Sequence, residues 1–406
     1  MPKTIISILG TSGAFFNSKN CTPQTHEDGS IKYQSAKYLS GIFELENREY
    51  KNSTHFLLEN FSSKFVFIGT ECAISFQKTI LKESLAGKDV EYISIGDNSL
   101  DDIFEAILEL LQHHDDVMLD ITHGFRHQPI MAIFASTLSQ FLQRSELQII
   151  FAKEVKTHKV YEYIYLDSYI EITQISLLLT GFIRTLNFIP VHNMKLLDNR
   201  VFENFSKSLL ANDLKGVEKH HELLNKELVQ LENNKALSHL SSLLDKVKSE
   251  LAVLENFENK AKYEKYLILS RMTVEKNYLV VALAYVFESL RTYSEHCFNQ
   301  VTKGIRYKDN FAKKQDIMNA ILNSDAHFKN NKNKNIIYIE HKGFYEKNKS
   351  SLDRVGRVYL EIRKLRNQLA HINESKDFED IKKTVFGYIF KVESIYKDDV
   401  LSSLRG

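Results

Sequence analysis

Short apolar runs alternate with helical patterns along the first 167 residues of the chain. The apolar runs are continuous, as in buried parallel strands, which are covered on both faces. The predicted strands are Ile5–Leu9, Phe65–Gly69, Val90–Ile95, Val117–Asp120, Leu147–Phe151 and Val160–Leu166. Helices fit between them, for example at Asp101–His113 and Pro129–Arg144. This alternation predicts an α/β domain with a doubly wound, Rossmann-like sheet. The segment Ser30–Asn60 interrupts the alternation and is expected to contain a hairpin.

From about Tyr169 onward the pattern becomes helical. Leucine recurs at three- and four-residue steps, which is typical of amphipathic helices. The predicted helices are Ile170–Phe188, Val201–Asn233, Lys235–Lys260, Tyr278–Cys297, Leu352–Ile372 and Phe378–Tyr396. Residues 328–351 are rich in Asn and Lys and are expected to form a loop or a small insertion. The chain is therefore predicted to comprise an α/β domain over 1–168, a helical linker region over 169–262 and an all-α domain over 263–406.

Composition narrows the possible classes of protein. The 406 residues carry a formal net charge of +1, which does not by itself indicate a nucleic-acid binder. Basic residues outnumber acidic ones in residues 301–406, which fits either contact with phosphates or a solvated lysine-rich surface. The longest apolar stretch, Ile175–Val191, is interrupted by Arg184 and Asn187, so we expect no membrane span. Without a secretory signal or paired cysteine spacing, the chain is predicted to be cytoplasmic and to lack disulfides.

Polar turns follow the predicted strands at the sheet edge where ligands bind in doubly wound folds. The first strand ends in Gly10, Thr11, Ser12 and Gly13, a small turn that lets a ligand approach the backbone. This turn has neither the Gly-Lys-Ser/Thr ending of a P-loop nor a dinucleotide fingerprint. Further candidates follow the later strands: Thr70, Glu71, Asp97, Asn98 and Lys153. Each turn alone is a weak signal, but together they predict a nucleotide-binding crevice.

The turn after the strand Val117–Asp120 carries the richest set of polar groups. Thr122, His123 and Gly124 follow the strand, and Arg126 precedes the next helix. Such a strand-to-helix turn presents backbone N–H groups at a helix N-terminus, which favours phosphate binding. The two hydrogen-bonding side chains and the arginine are therefore candidate ligand-binding residues.

Two other interpretations of this turn stay open. His123 and His127 are four residues apart and could bind zinc, although no third ligand and no metalloprotease glutamate are evident. Alternatively, Asp120 and His123 could simply cap the following helix without any ligand contact.

A second candidate site lies near the end of the chain. Arg366, Asn367 and His371 lie off an apolar stripe that is predicted to face a core, formed by Ile362, Leu365 and Leu369. Arginine can hold a phosphate with a planar fork of donors, and histidine can exchange a proton near neutral pH. These properties suit RNA cleavage in which a 2′-hydroxyl attacks the adjacent phosphate.

The spacing of this site leaves its geometry open. Arg366 and His371 are splayed by about 140° on an ideal helix. The arginine must therefore reach around, the helix must distort, or a second copy must complete the site. Arg and His at this spacing on a polar helix face are also often merely solvent-exposed. Glu288, on an earlier helix, could support the arginine or belong to the surface.

Both motifs resemble those of a known family. The turn after Asp120 resembles the Asp-x-Thr-His-Gly motif of CRISPR-associated sensor-effector proteins. The run from Arg366 to His371 resembles the Arg-x4-6-His motif of HEPN ribonucleases, including the polar Asn367 after the arginine. The resemblance implies an N-terminal CARF domain that senses cyclic oligoadenylate and a C-terminal HEPN ribonuclease of type III CRISPR antiviral defence. It covers most of the chain, and residues 190–260 are the least diagnostic.

The same resemblance implies partners and chemistry. A homodimer would bind one messenger ring across two CARF domains and form a composite nuclease site that cuts single-stranded RNA without a metal or other cofactor. Cyclic tetra-adenylate is the expected allosteric activator, and cyclic hexa-adenylate stays open. Related CARF domains sometimes cleave their own ligand slowly. The alternative function is a non-catalytic nucleotide sensor whose HEPN part only dimerises or binds a partner.

Overall fold

The chain folds into two compact units. The computed structural model describes residues 2–96, 99–142, 146–157, 159–191, 194–322, 337, 348–370 and 377–401. The first unit comprises Met1–Leu177 and Pro190–Leu197, and the second comprises Leu178–Ile189 and Asp198–Gly406. The region predicted as a linker, 169–262, contributes residues to both units, and the division into three parts stays a prediction. Most of the Asn/Lys-rich segment 328–351 lies outside the described residues.

A mixed sheet forms the centre of the first unit. Its strands are β1 (Thr4–Ile8), β4 (Ala36–Leu39), β5 (Arg48–Tyr50), β6 (Lys64–Gly69), β7 (Val90–Ser94), β8 (Asp116–Asp120), β9 (Glu146–Lys156) and β10 (Val160–Tyr165). The short strands β2 (Phe16–Asn17) and β3 (Thr22–Pro23) pair separately. The eight strands of the main sheet are arranged in the order β5-β4-β10-β9-β8-β1-β6-β7. β1 is parallel to β6 and β8, whereas β10 is antiparallel to β9.

Helices cover both faces of this sheet. They are α1 (Ser53–Asn60), α2 (Glu71–Ile80), α3 (Leu100–His113), α4 (His127–Leu142) and the part of α5 (Asp167–Thr185) that precedes Leu178. Ile5 of β1 packs with α1 and α2 side chains, whereas the neighbouring Ile6 packs with α3 and α4 side chains. Because successive side chains of a strand point to opposite faces, a strand covered on both sides is apolar throughout. The structure thus confirms the predicted doubly wound, Rossmann-like domain.

Two features of this unit differ from the predicted elements. The expected hairpin is present, but its strands β4 and β5 extend the main sheet beside β10. β9 continues to Lys156, so Lys153 pairs with Glu162 inside a ladder instead of lying in a turn. Pairing with the antiparallel β10 supplies hydrogen bonds that sustain the strand beyond its apolar run.

The prediction that the chain lacks disulfides is wrong. Cys21, in the turn between β2 and β3, forms a disulfide with Cys72 of α2, and their Cα atoms are 5.3 Å apart. The two cysteines are 51 residues apart in sequence, so their spacing could not reveal the pairing. Packing of the β2–β3 turn beside α2 brings them together.

The described part of the second unit is helical. Its α-helices are α6 (Asn199–Leu210), α7 (Leu214–Asn233), α8 (Ser241–Leu251), α9 (Lys262–Glu275), α10 (Leu279–Cys297), α11 (Asn310–Leu322), α12 (Lys349–Ala370) and α13 (Phe378–Lys397). Residues of α9 to α13 share one core, which includes Leu283, Ile317, Ile362 and Val385. Among the described residues, no helix is long and apolar enough to cross a membrane.

The two long helices predicted over 201–260 are broken. Asn212 has a φ of 57°, and the Asp213 carboxylate accepts a hydrogen bond of 3.1 Å from the Gly216 N–H. These features end α6 and begin α7, because the left-handed region terminates a helix and aspartate is a favoured N-cap. The stretch predicted over Lys235–Lys260 contains α8 flanked by 3₁₀ turns.

Candidate functional site

Turns from neighbouring strands meet at the carboxyl edge of the sheet. β1 lies between the parallel strands β6 and β8, so the turns that follow them lie side by side. A Cβ at Gly10 would lie 3.2 Å from the backbone nitrogen of Gly124 and 3.3 Å from the Cβ of His123. Gly124 itself has a φ of +101°, a conformation that favours glycine. The structure therefore brings together the two turns that carry most of the predicted ligand-binding residues.

Two buried amides hold the turn of Gly10 to Gly13. The Gln77 amide donates hydrogen bonds of 2.6 Å to the Gly10 carbonyl and 3.0 Å to the Ser12 carbonyl. The Asn52 amide donates to the same Ser12 carbonyl at 2.8 Å and to Gln77 Oε1 at 2.9 Å. Sequence reasoning missed both residues. Asn52 precedes a helix as an N-cap, which is a readable local signal, but its contact with the distant turn is not.

Asp120 joins three segments of this edge. Its fully buried carboxylate accepts hydrogen bonds from Ser7 Oγ at 2.9 Å, Ser53 Oγ at 2.5 Å and Thr122 Oγ1 at 2.5 Å. The Thr122 hydroxyl also accepts a 2.9 Å hydrogen bond from the Ala152 N–H. Asp120 thus stabilises β1, the start of α1 and its own turn. Its carboxylate also accepts a 3.0 Å hydrogen bond from the backbone N–H of Thr122. The hydrogen bonds of the Asp120 carboxylate that the structure describes are therefore made to Ser7, Ser53 and Thr122.

His123 lies between the two turns. Its Nε2 accepts a 3.3 Å hydrogen bond from the Ser53 N–H, and Ser12 Oγ lies 3.2 Å from the same nitrogen. Burial lowers the pKa of His123 below its ordinary value, although the nearby Asp120 charge acts in the opposite direction. The side chain is therefore held as the neutral imidazole. A neutral imidazole beside a serine hydroxyl can accept a proton or orient a ligand.

The remaining predicted ligand-binding residues have different surroundings. Thr70 is buried and caps α2, since its hydroxyl accepts from the Ala73 N–H at 3.2 Å. Glu71 is exposed and lines a surface pocket together with the disulfide and Gly96. Arg126 and Lys153 are exposed, and Thr11 is half-buried. Asp97 and Asn98 lie outside the described residues.

In the second unit, the burial of two apolar residues of α12 fixes the position of Arg366. Ile362 and Leu365 of α12 are buried in the core, as predicted, while Arg366 is half-buried and Asn367 is exposed. The Arg366 guanidinium lies 4.2 Å from the ring centroid of Phe287, a cation–π contact that holds the side chain in place. Sequence reasoning missed Phe287. His371 lies outside the described residues.

Glu288 forms ion pairs with two buried cations and is not simply a solvent-exposed residue. Its carboxylate accepts hydrogen bonds of 2.7 Å from Arg291 NH1 and 3.0 Å from Lys314 Nζ. Burial alone would raise the pKa of Glu288, but Lys314 and Arg291 lower it below its ordinary value. The residue is therefore a carboxylate that fixes two buried cations on the same side of α10 as Phe287.

Replacing His123 with Gln should flatten the pH dependence of stability. The pKa of His123 is lowered in the folded protein from 6.5, so the unfolded chain binds more protons as the pH falls below about 6.5. The wild type should keep the full contribution above that pH and lose at most about 1.4 kcal/mol per pH unit below it. Urea unfolding of both proteins between about pH 5 and pH 7 measures the difference. Parallel curves would contradict the assignment of a neutral His123.

Comparison with solved structures finds several that resemble this chain, and Csm6 is one of them. Csm6 of Enterococcus italicus, solved with cyclic hexa-2′-fluoro-hexa-dAMP, aligns over 99% of this chain and 94% of its own chain, with a TM-score of 0.39 and 12% sequence identity. No family model matches the chain, and no curated protein matches it.

Proposed function

We propose that this chain is a cyclic-oligoadenylate-activated, metal-independent endoribonuclease of the CARF–HEPN type, which cuts single-stranded RNA in type III CRISPR antiviral defence. One observation carries the proposal. The Asp-x-Thr-His-Gly turn packs against the glycine turn after β1, at the carboxyl edge of a doubly wound sheet. This edge is where such folds bind ligands. The same chain carries Arg366 on a helix, directly beside the buried apolar stripe of that helix.

The messenger would lie against the turns of the first unit. Small residues at Gly10 and Gly124 let phosphates and ribose approach the backbone, while the exposed Arg126 supplies a cation at the start of α4. The Ser12 hydroxyl and His123 add hydrogen-bonding groups between the turns. We propose cyclic tetra-adenylate as the ligand, with Glu71, Asp97, Asn98 and Lys153 as further contacts around the ring.

An exposed apolar stripe supports a homodimer. Ile130, Phe134 and Leu138 of α4 are 51%, 58% and 41% exposed, and their four-residue spacing places them on one face of the helix. Phe125, directly before Arg126, is 53% exposed. A contiguous apolar surface of this kind favours association, and a two-fold contact uses the same patch twice. Such a dimer would bring two copies of the Arg126 turn to one symmetric ring.

The nuclease step would use the second unit. The 2′-hydroxyl of a ribose attacks the adjacent phosphorus as its proton is removed, and the bond to the 5′-oxygen breaks. The products are a 2′,3′-cyclic phosphate and a 5′-hydroxyl, so no water or metal enters the balance. Arg366 would stabilise the charge on the phosphorane, His371 would transfer the proton, and Asn367 would hold the phosphate beside them.

Activation requires that the messenger bind two states with different affinities. Only such a difference can shift the population towards the state that cuts RNA. A shift from about 1% to 99% active needs roughly 5.5 kcal/mol of differential binding. We propose the helices of 170–260 as the segment through which this difference is transmitted.

His371→Ala and Arg366→Ala should each lower RNA cleavage by about 10²- to 10⁴-fold, because both groups would act in the transition state. Messenger binding should be unchanged. A labelled single-stranded RNA, incubated with cyclic tetra-adenylate and with EDTA, measures the rate. The exposed Lys364, also on α12, provides the matched control, and Lys364→Ala should cut RNA normally. Full activity in His371→Ala, or complete loss with EDTA, would exclude this mechanism.

Arg126→Ala should raise the messenger concentration that gives half-maximal cleavage, with nearly the same maximal rate at saturation. The reason is that the variant loses a phosphate contact in the sensor but keeps the nuclease groups. Titration of cyclic tetra-adenylate and cyclic hexa-adenylate against RNA cleavage measures the shift and the ring preference. Arg48, an exposed arginine paired with Glu46, is the control. An unchanged half-activation concentration would remove Arg126 from the messenger site.

Slow opening of the messenger is the last expected activity. Ser12 Oγ and the neutral His123 lie 3.2 Å apart, where they could orient a ribose 2′-hydroxyl towards the neighbouring phosphorus. The Arg366→Ala variant should therefore still open the ring over hours, and adding Ser12→Ala should slow it. Chromatography of the recovered messenger distinguishes ring from linear product. An intact ring after prolonged incubation with Arg366→Ala would show that the first unit binds without turnover.

A further inference from the structure

An exposed aromatic ring lies on a buried guanidinium in the second unit. Phe311, at the start of α11, is 65% exposed, and its ring centroid is 4.9 Å from Cζ of Arg291. The Arg291 side chain is 4% exposed and also contacts the ring of Phe287, at 5.5 Å. Single exposed apolar side chains are common on proteins, so the feature that distinguishes this ring is its contact with a buried guanidinium.

Buried ion pairs fix the position of Phe311. Lys314 lies one helical turn after Phe311, and its Nζ donates hydrogen bonds of 3.0 Å to Glu288 and 3.1 Å to Thr292. Glu288 accepts from Arg291 through its other oxygen at 2.7 Å. These bonds attach the first turns of α11 to α10. The ring of Phe311 is therefore held against Arg291 before any ligand arrives, which lowers the entropy lost on binding.

The charge beneath the ring is not balanced. Glu288 is the carboxylate that faces the two cations Arg291 and Lys314, so the three residues keep one net positive charge. Nε and NH2 of Arg291 are buried and have no hydrogen-bond partner within the described structure. The segment before the ring carries three exposed cations, Lys303, Arg306 and Lys308, and one exposed carboxylate, Asp309. The net positive charge of this cluster beneath the ring favours a polyanion over an apolar partner.

Phe287 links this ring to the proposed catalytic arginine. It contacts Arg366 at 4.2 Å and Arg291 at 5.5 Å, and Arg291 in turn contacts Phe311 at 4.9 Å. The three contacts place Phe311 within about 15 Å of the Arg366 guanidinium, a span of roughly four stacked bases at about 3.4 Å each. A strand whose phosphate meets Arg366 can therefore present a neighbouring base to Phe311.

We propose that Phe311 is a stacking platform for a base of the RNA substrate, close to the scissile phosphate. The inference rests on the proposed ribonuclease function and names the residue that positions its substrate. Exposed aromatic rings surrounded by cations bind single strands in this way, because every base offers a flat face and every linkage offers a phosphate. The buried Arg291 guanidinium orients the Phe311 ring, and its positive charge attracts the phosphates of the strand.

The test compares Phe311→Ala with Phe311→Tyr, which keeps the ring. Phe390→Ala is the matched control, since Phe390 is 62% exposed and also lies on an arginine, Arg271, at 6.0 Å. Binding of the full chain to a fluorescent RNA with 2′-O-methyl groups, which block cleavage, is measured by anisotropy at constant salt. Phe311→Ala should raise Kd, and KM for cleavable RNA, by about 5- to 150-fold, with little change in kcat. Phe311→Tyr and Phe390→Ala should match the wild type.

Each contrary result has a distinct meaning. Unchanged Kd and KM in Phe311→Ala, with normal cleavage by the wild type, would overturn the platform and leave the ribonuclease in place. A smaller sedimenting species together with unchanged Kd would make Phe311 a contact between copies of the chain and would also overturn the platform. RNA binding that depends on Phe311, without any cleavage by the wild type, would support the platform and overturn the ribonuclease.

Discussion

The carboxylate of Asp120 is completely removed from water, and the first unit is arranged to satisfy it. A buried charge is costly unless hydrogen bonds replace those lost to solvent. Ser7, Ser53 and Thr122 supply these bonds from three separate segments of the chain. The carboxylate therefore determines where α1 begins relative to β1 and how the turn after β8 leaves the sheet. The same arrangement places the start of α1 so that Asn52 donates to the Ser12 carbonyl in the turn of Gly10 to Gly13.

The polar residues that were predicted at this sheet edge fall into two groups with different surroundings. The hydroxyls of Thr70 and Thr122 are engaged within the protein, where they cap a helix and join two strands. Arg126, Glu71 and Lys153 are exposed, and the proposed function assigns them direct contacts with the messenger. Under the proposed function, changes at the first group should alter stability together with messenger binding, whereas changes at the second group should alter messenger binding alone. Residue type does not separate the groups, because threonine is equally suited to both roles.

The second unit contains buried positive charges, which also need compensating contacts. Arg291 and Lys314 are buried, and Glu288 supplies one carboxylate for both. Lys314 also donates to the Thr292 hydroxyl, and Arg291 contacts two aromatic rings, whose faces carry negative potential and accept a guanidinium without a hydrogen bond. The incomplete pairing leaves a positive field close to Arg366. Such a field would suit the phosphate-binding role that is proposed for Arg366.

The sequence by itself determined the regular parts of the protein. Continuous apolar runs predicted the central strands and the doubly wound sheet, and the apolar stripe of α12 predicted that Arg366 lies off the buried face. These signals repeat every two to four residues, so they can be read locally. The break between α6 and α7 also has a local signal, because Asn212 and Asp213 are residue types that favour helix ends. The prediction missed this break because the leucine pattern continues on both sides of it.

Tertiary structure alone decided the contacts that build the sites. Asn52 and Gln77 hold a turn that lies 40 and 65 residues away, and Ser53 reaches Asp120 across 67 residues. Cys21 meets Cys72 across 51 residues, and the ladder with β10 extends β9 past Lys153. Such pairs have no periodic signature, because they depend on which elements pack together and not on the neighbours of each residue. The sequence determined which residue types were present, and packing decided which of them meet.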